Sequence, residues 1–168
     1  MDEVNLGMLL LRVVAGLTLA AHGYAKFTKG NRLKGLASWF DSMGMRPGRL
    51  HARIAATTEV TAGVVLALGF LTPLAALAIV AMMTVAGYTV HREHFFILDD
   101  GFEYVMIIAL IAVVVATIGP GDWSLDGALG IDDDLNGWLG LLISAGGGLV
   151  AAAAHLALFF RPPAKVTA

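Results

Sequence analysis

There is no cysteine among the 168 residues. That excludes disulfides, thiolate nucleophiles, paired-cysteine redox chemistry and cysteine-held iron–sulfur clusters. Any redox role would need a borrowed cofactor or a partner. Charge is scarce as well: 14% of residues are Asp, Glu, Lys or Arg, against about 25% in an ordinary soluble domain. No nucleophile elbow, phosphate loop, dinucleotide fingerprint or zinc-protease motif occurs. A cleavable leader is not expected either. The N-terminus is acidic at Asp2 and Glu3 where a signal would be basic, and the first apolar run exceeds the usual core of about 7–15 residues.

What the chain has is apolar surface. It is 58% hydrophobic, with a mean hydropathy of +0.78. A helix needs about 20 mostly apolar residues to cross about 30 Å of hydrocarbon. Five runs qualify, at about 6–27, 54–71, 74–90, 102–119 and 138–160. The fourth is the shortest, and could lie flat or thin the bilayer locally. Thr72-Pro73, Gly119-Pro120-Gly121 and Arg161-Pro162-Pro163 supply breaks.

Charge tests that count. If the five runs alternate, one side holds loop 28–53, loop 91–101 and the C-terminus. That side and its helix ends take Lys26, Lys29, Arg32, Lys34, Arg46, Arg49, Arg53, Arg92, Arg161 and Lys165. The eleventh basic residue, Arg12, lies inside a helix. The other side carries Asp2, Glu3, Asp122, Asp126 and the run Asp132-Asp133-Asp134. The positive-inside rule makes the basic side cytoplasmic. The expectation is an all-α, polytopic bundle in the inner (plasma) membrane, N-terminus outside and C-terminus inside. The basic side reads as topology and anionic-lipid contact, not nucleic-acid binding.

Within loop 28–53, Leu33, Leu36, Phe40 and Met43 recur at helical spacing, and Gly44 and Pro47 end the pattern. This predicts a short amphipathic helix in the cytoplasmic interface, an anchored connector or a docking surface. Gly16 and Gly23 share a face of the first run with Arg12, Leu19 and Lys26. Gly146, Gly147 and Gly148 make part of the fifth nearly smooth, suited to close packing on the bundle or on another subunit.

Ionisable residues inside spans cost roughly 2.5–3.5 kcal/mol at a helix centre on insertion scales, so they are informative. His22, Lys26, Glu59, His91 and Glu103 come from four helices and fall in the cytoplasmic half. Glu59 needs Lys26, His22 or Arg12 as a partner, or must stay protonated. Such a group could fix the bundle by hydrogen bonding, hold a quinone headgroup, relay protons or bind a metal. Haem would need His22 to face His91, and no His pair has the spacing of two ligands on one helix face. Arg12 could reach a helix-end carbonyl, an acidic group of loop 120–137, or Glu59. His155 stands alone in the fifth run and reads as a packing or interface residue rather than a ligand. Asp132-Asp133-Asp134 lacks the glycine and closing glutamate of a calcium loop and reads as a solvated turn.

Taken in order, LLLRVVAGLTLAAHGYAKF, GLASWFDSMGMRPG, EVTAGVVLALGFLTPLAAL, His91, GFEYVMIIAL and GPGDWSLDGALG resemble the DoxX family of bacterial and archaeal membrane proteins, over about residues 6–130. No single piece is diagnostic; order and spacing carry the resemblance. It implies a four-helix membrane core in residues 1–130. Residues 131–168 then add the end of an acidic outer loop, a fifth helix and a short tail. The family is named for a small subunit of an archaeal thiosulfate:quinone oxidoreductase. Actinobacterial relatives are linked to a membrane oxidoreductase complex with a superoxide dismutase and a sulfurtransferase. The resemblance therefore implies an accessory subunit of an oxidoreductase or respiratory-type complex, inactive alone, with redox subunits as partners. Arg12, His22, Lys26, Glu59, His91 and Glu103 would form its buried polar cluster. No intrinsic cofactor is expected, with quinone the candidate ligand. A stand-alone transporter or quinone-binding protein, and a structural scaffold, remain the alternatives.

Overall fold

The computed structural model describes residues 2–162. Pro163, Lys165 and the rest of the expected tail lie outside the described residues. Among the described residues eight α-helical segments order the chain. They are α1 (Asp2–Thr28), α2 (Arg32–Met43), α3 (Gly48–Leu68), α4 (Thr72–His91), α5 (Glu103–Ile118), α6 (Leu125–Leu129), α7 (Asp132–Leu135) and α8 (Gly137–Phe159). Helix α4 ends in a π-helical turn at Gly87–His91, and α8 contains another at Leu142–Gly147. Among the described residues there is no β-strand; Met45 and Phe160 form one isolated antiparallel bridge.

Among the described residues three helices are long and apolar enough to cross a membrane: Asp2–Thr28, Thr72–His91 and Gly137–Phe159. Helix α5 is apolar but has 16 residues, which spans roughly 24 Å at 1.5 Å per residue. Helix α3 has 21 residues but carries Arg49, Arg53 and Glu59. It begins at Gly48, earlier than the expected 54. The reason is local: the Asp41 carboxylate, at the end of α2, accepts the Gly48 N–H at 2.7 Å and satisfies a donor the helix start would otherwise leave open.

The expected amphipathic helix is α2, and Gly44 closes it at φ 96°, a conformation that glycine adopts without strain. Its place differs from a simple surface anchor. Ala37 is buried, and a Cβ on Gly48 would come within 2.0 Å of the Ala37 carbonyl oxygen. Helix α2 is thus laid against the start of α3.

The core lies between α1, α3, α4 and α5, where Leu19, Leu66, Ile79, Ile108, Ala112 and Val115 interlock. The glycine-rich helix α8 packs on α4. A Cβ on Gly147 would stand 2.7 Å from Leu77, and one on Gly148 would stand 2.7 Å from Val80. The bundle is thus met by Gly147 and Gly148. Loops assigned to one side of the alternating pattern also touch one another. At one end, Asn5 of α1 meets Asp122. At the other, Arg46 N–H donates to the Phe159 carbonyl at 3.3 Å and Arg161 N–H to that of Gly44 at 2.8 Å.

Candidate functional site

The six polar residues expected to form one cluster occupy three places. Arg12 is 2% exposed, buried between α1, α3 and the segment after α5. Its Nε donates to the Pro120 carbonyl at 3.1 Å, Nη1 to that of Ala67 and Nη2 to that of Trp123. Of the partners open to Arg12, the structure selects main-chain carbonyls. It does not meet Glu59. Its acceptor Ala67 is eight residues beyond Glu59 on α3, roughly 12 Å along the helix.

Beside it, Asp126 is fully buried. It accepts the Leu71 N–H at 2.7 Å, the Thr72 N–H at 2.9 Å and the Thr72 hydroxyl at 2.7 Å. A carboxylate at the first turn of α4 satisfies its open donors and suits its dipole. Asn5 adds two bonds to Asp122: its amide donates to the carboxylate at 2.7 Å and its carbonyl accepts the Asp122 N–H at 3.0 Å. Loop 119–130 is thereby sewn onto α1, α3 and α4.

The second place holds Lys26 of α1 and Glu59 of α3, which form an ion pair. Gly23 makes it possible, because a Cβ there would come 2.7 Å from Cβ of Glu59. Glu59 lies within electrostatic reach of His22 and Tyr104. The exposed His22 has its ring centroid 5.4 Å from that of Tyr104 on α5, so the ring it faces is not that of His91. Two buried oxygens here have no hydrogen-bond partner: Glu59 Oε2 and the Tyr104 hydroxyl. Buried polar atoms are almost always paired, so two orphans beside an ion pair point to a water or ligand position.

The third place is a loop tie. His91 Nδ1 stands 2.6 Å from the Asp100 carbonyl oxygen, and Glu103 accepts the Ile97 N–H at 2.9 Å. Both hold the short connection between α4 and α5. Backbone groups in that turn need partners, and these side chains supply them.

A family model for DoxX matches residues 7–92. The chain belongs to the DoxX family. No curated protein and no solved structure gives a match. The DoxX match covers Arg12, His22, Lys26, Glu59 and His91. It stops before Tyr104, Asp126 and α8. Two of the three carbonyls that Arg12 meets and one orphaned oxygen of the second place therefore lie beyond the matched part of this DoxX chain.

Asn5, His51 and Tyr104 are not among the residues the sequence singles out, and Asp126 is expected there only as an acid of the outer loop. Asn5 had a signal: with Met8, Arg12, Leu19, Gly23 and Lys26 it keeps to one face of α1 at helical spacing. His155 is not alone, for its ring centroid lies 4.9 Å from that of His51. Among the described residues no group of three or more His, Asp or Glu side chains could hold a metal ion.

The ion pair is partly open: the Lys26 side chain is 30% exposed and that of Glu59 is 8%. Its worth should fall between a surface pair, about 0–1 kcal/mol, and a buried one, about 3–5 kcal/mol when one partner is removed. Glu59→Ala is expected to cost roughly 1–3 kcal/mol in thermal unfolding, and more than Leu110→Ala, which trims a residue on the outside of the bundle. Equal loss in the two variants would remove the structural role of the pair.

Proposed function

We propose that this DoxX protein is a membrane accessory subunit of an oxidoreductase or respiratory-type assembly, inactive alone, that contacts quinone at the second place. The observation that carries the reading is the pair of orphaned oxygens, Glu59 Oε2 and the Tyr104 hydroxyl, next to Lys26. A quinone carbonyl would accept from the tyrosine hydroxyl or the Lys26 ammonium, and a quinol hydroxyl would donate to Glu59. When bound, the quinone would supply two-electron chemistry that no side chain here provides. Lys26, Glu59 and Tyr104 would hold and orient its headgroup, and His22 would flank it.

The same reading takes α1, α3, α4, α5 and α8 as five crossings of the plasma membrane, N-terminus outside. Support comes from the two sets of loops that meet at opposite ends and from the basic residues gathered at one of them. The positive-inside rule makes that end cytoplasmic.

Isolation from native membranes in mild detergent tests the assignment. Sizing, partner identification by mass spectrometry and quinone extraction are done on the same peak. The expected result is a large particle with redox subunits and bound quinone, and loss of the quinone but not of the particle with Glu59→Gln. A small particle that carries quinone or a solute would overturn the accessory role and favour a stand-alone binder or transporter. A small particle that carries nothing would favour the scaffold reading. That reading has its own support in the Arg12 knot, whose polar atoms all serve the fold.

A further inference from the structure

A cavity of about 240 Å³ lies where α2, α3, α4 and α8 converge, away from the Lys26–Glu59 pair. Its walls include Phe40, Met45, His51, Met82, Ala152 and His155. Ile54, also on its wall, is 40% exposed on the outside of the bundle. No Lys, Arg, Asp or Glu lines it, so a charged guest would be left unpaired there at a large cost in desolvation.

One buried polar atom has no partner. His51 is 2% exposed. Its Nε2 lies 3.2 Å from the Arg46 carbonyl oxygen, while Nδ1 has none. A carbonyl oxygen only accepts, so Nε2 carries the proton, and in a neutral imidazole Nδ1 is then an acceptor. An acceptor left without a partner calls for a donor. The ring around it is aromatic. The centroids of His155 and Phe159 lie 4.9 Å from that of His51 at 83° and 67°, and that of Phe40 lies 6.3 Å away at 62°. Edge-to-face packing of this kind suits a further flat ring.

We infer that this cavity binds a neutral, lipophilic molecule with an aromatic hydroxyl, a membrane-borne phenol, whose O–H donates to His51 Nδ1. Size agrees: an apolar protein cavity of about 150 Å³ takes up benzene, so 240 Å³ admits a substituted ring with its alkyl tail led outward. The other polar wall residues, Thr58 and His155, set how the ring lies. The site shares no residue with the Lys26–Glu59–Tyr104 group and does not depend on the quinone reading.

The test compares 4-decylphenol with 4-decylanisole, its methyl ether, which matches its apolar tail but has no O–H. Neither can become a quinone by loss of hydrogen alone, so a result here does not decide the quinone question. Binding of each labelled compound to the full chain in phosphatidylcholine nanodiscs is measured, with empty nanodiscs subtracted. A hydrogen bond to a buried acceptor predicts that the phenol binds roughly 3–10-fold more tightly than the ether. His51→Phe keeps a flat ring in place and removes the Nδ1 acceptor. It should bring the phenol down to the ether and leave the ether unchanged. Equal binding of phenol and ether to the unaltered protein, or no binding of either above the empty disc, overturns the inference. Both results are read on wild-type protein and stand whether or not the variant folds.

Discussion

Arg12→Leu is expected to insert into the membrane at least as well as the parent and yet lose its fold. The two stages separate because different energies govern them. Removing a charge from a helix centre makes insertion easier by roughly 2.5–3.5 kcal/mol. The folded bundle, however, has three carbonyls that depend on this one guanidinium, those of Ala67 and Pro120 in buried bonds and that of Trp123 in a partly buried one. A hydrogen bond to a charged group contributes about 1.5–3 kcal/mol, and an orphaned buried acceptor costs about 1–3 kcal/mol. The net loss on folding should reach about 3–5 kcal/mol, the size seen when a buried charge network is broken. Arg12→Lys should recover little. An ammonium on a shorter stem is a compact charge rather than a planar fork that reaches carbonyls in three directions. Membrane fractionation checks the first stage, and thermal unfolding of the purified variants in one detergent checks the second. An Arg12→Leu protein that unfolds at the parent temperature would show that loop 119–130 is held by Asp126 and Asn5 alone.

How the molecule could be read from its sequence follows the range of the signal. Helix α2 was legible because four apolar residues repeat at a local period and a glycine ends them. Arg12 could be recognised as a residue in need of partners, because a charge in an apolar run is improbable by itself. A helix-end carbonyl was among the partners the sequence offered, and the Ala67 carbonyl at the end of α3 is one, but the two carbonyls after α5 were not legible. Pro120 and Trp123 lie more than a hundred residues away, and no period connects them to α1. Asp126 was hidden for a similar reason: in sequence it is one acid of a polar loop, and only the fold turns it toward the start of α4. Tyr104 and His51 gave no warning at all. A single tyrosine in α5 or histidine in α3 fits ordinary packing, and the orphaned atoms that make them informative exist only after neighbours have closed around them. His91 and Glu103 were placed with Glu59 on depth alone. Depth does not fix the azimuth of a side chain, and the loop between α4 and α5 takes both.

Gly63→Ala is expected to act as strongly as a much larger substitution, because the obstruction begins at Cβ. A Cβ at Gly63 would stand 2.5 Å from the Gly16 carbonyl oxygen and 2.7 Å from the Ala20 nitrogen. The relation is mutual: one at Gly16 would stand 2.4 Å from the Gly63 oxygen. These are backbone atoms, so no rotamer change relieves the clash and α1 must move off α3. Overpacking of a close contact costs about 1–3 kcal/mol and at times more. Here the displacement spreads, since the same two helices carry the bond from Arg12 to Ala67 and the Lys26–Glu59 pair. Intrinsic helix propensity pulls the other way, favouring alanine over glycine by about 1 kcal/mol. Gly146→Ala isolates that term, because a Cβ at Gly146 meets nothing within 4 Å. The two variants should therefore shift thermal unfolding in opposite directions, Gly63→Ala downward and Gly146→Ala slightly upward. The same downward step should loosen both polar sites, which share α1 and α3. If both variants rise together, α1 and α3 do not cross at these glycines, and the Lys26–Glu59 pair loses the close approach that brings it together.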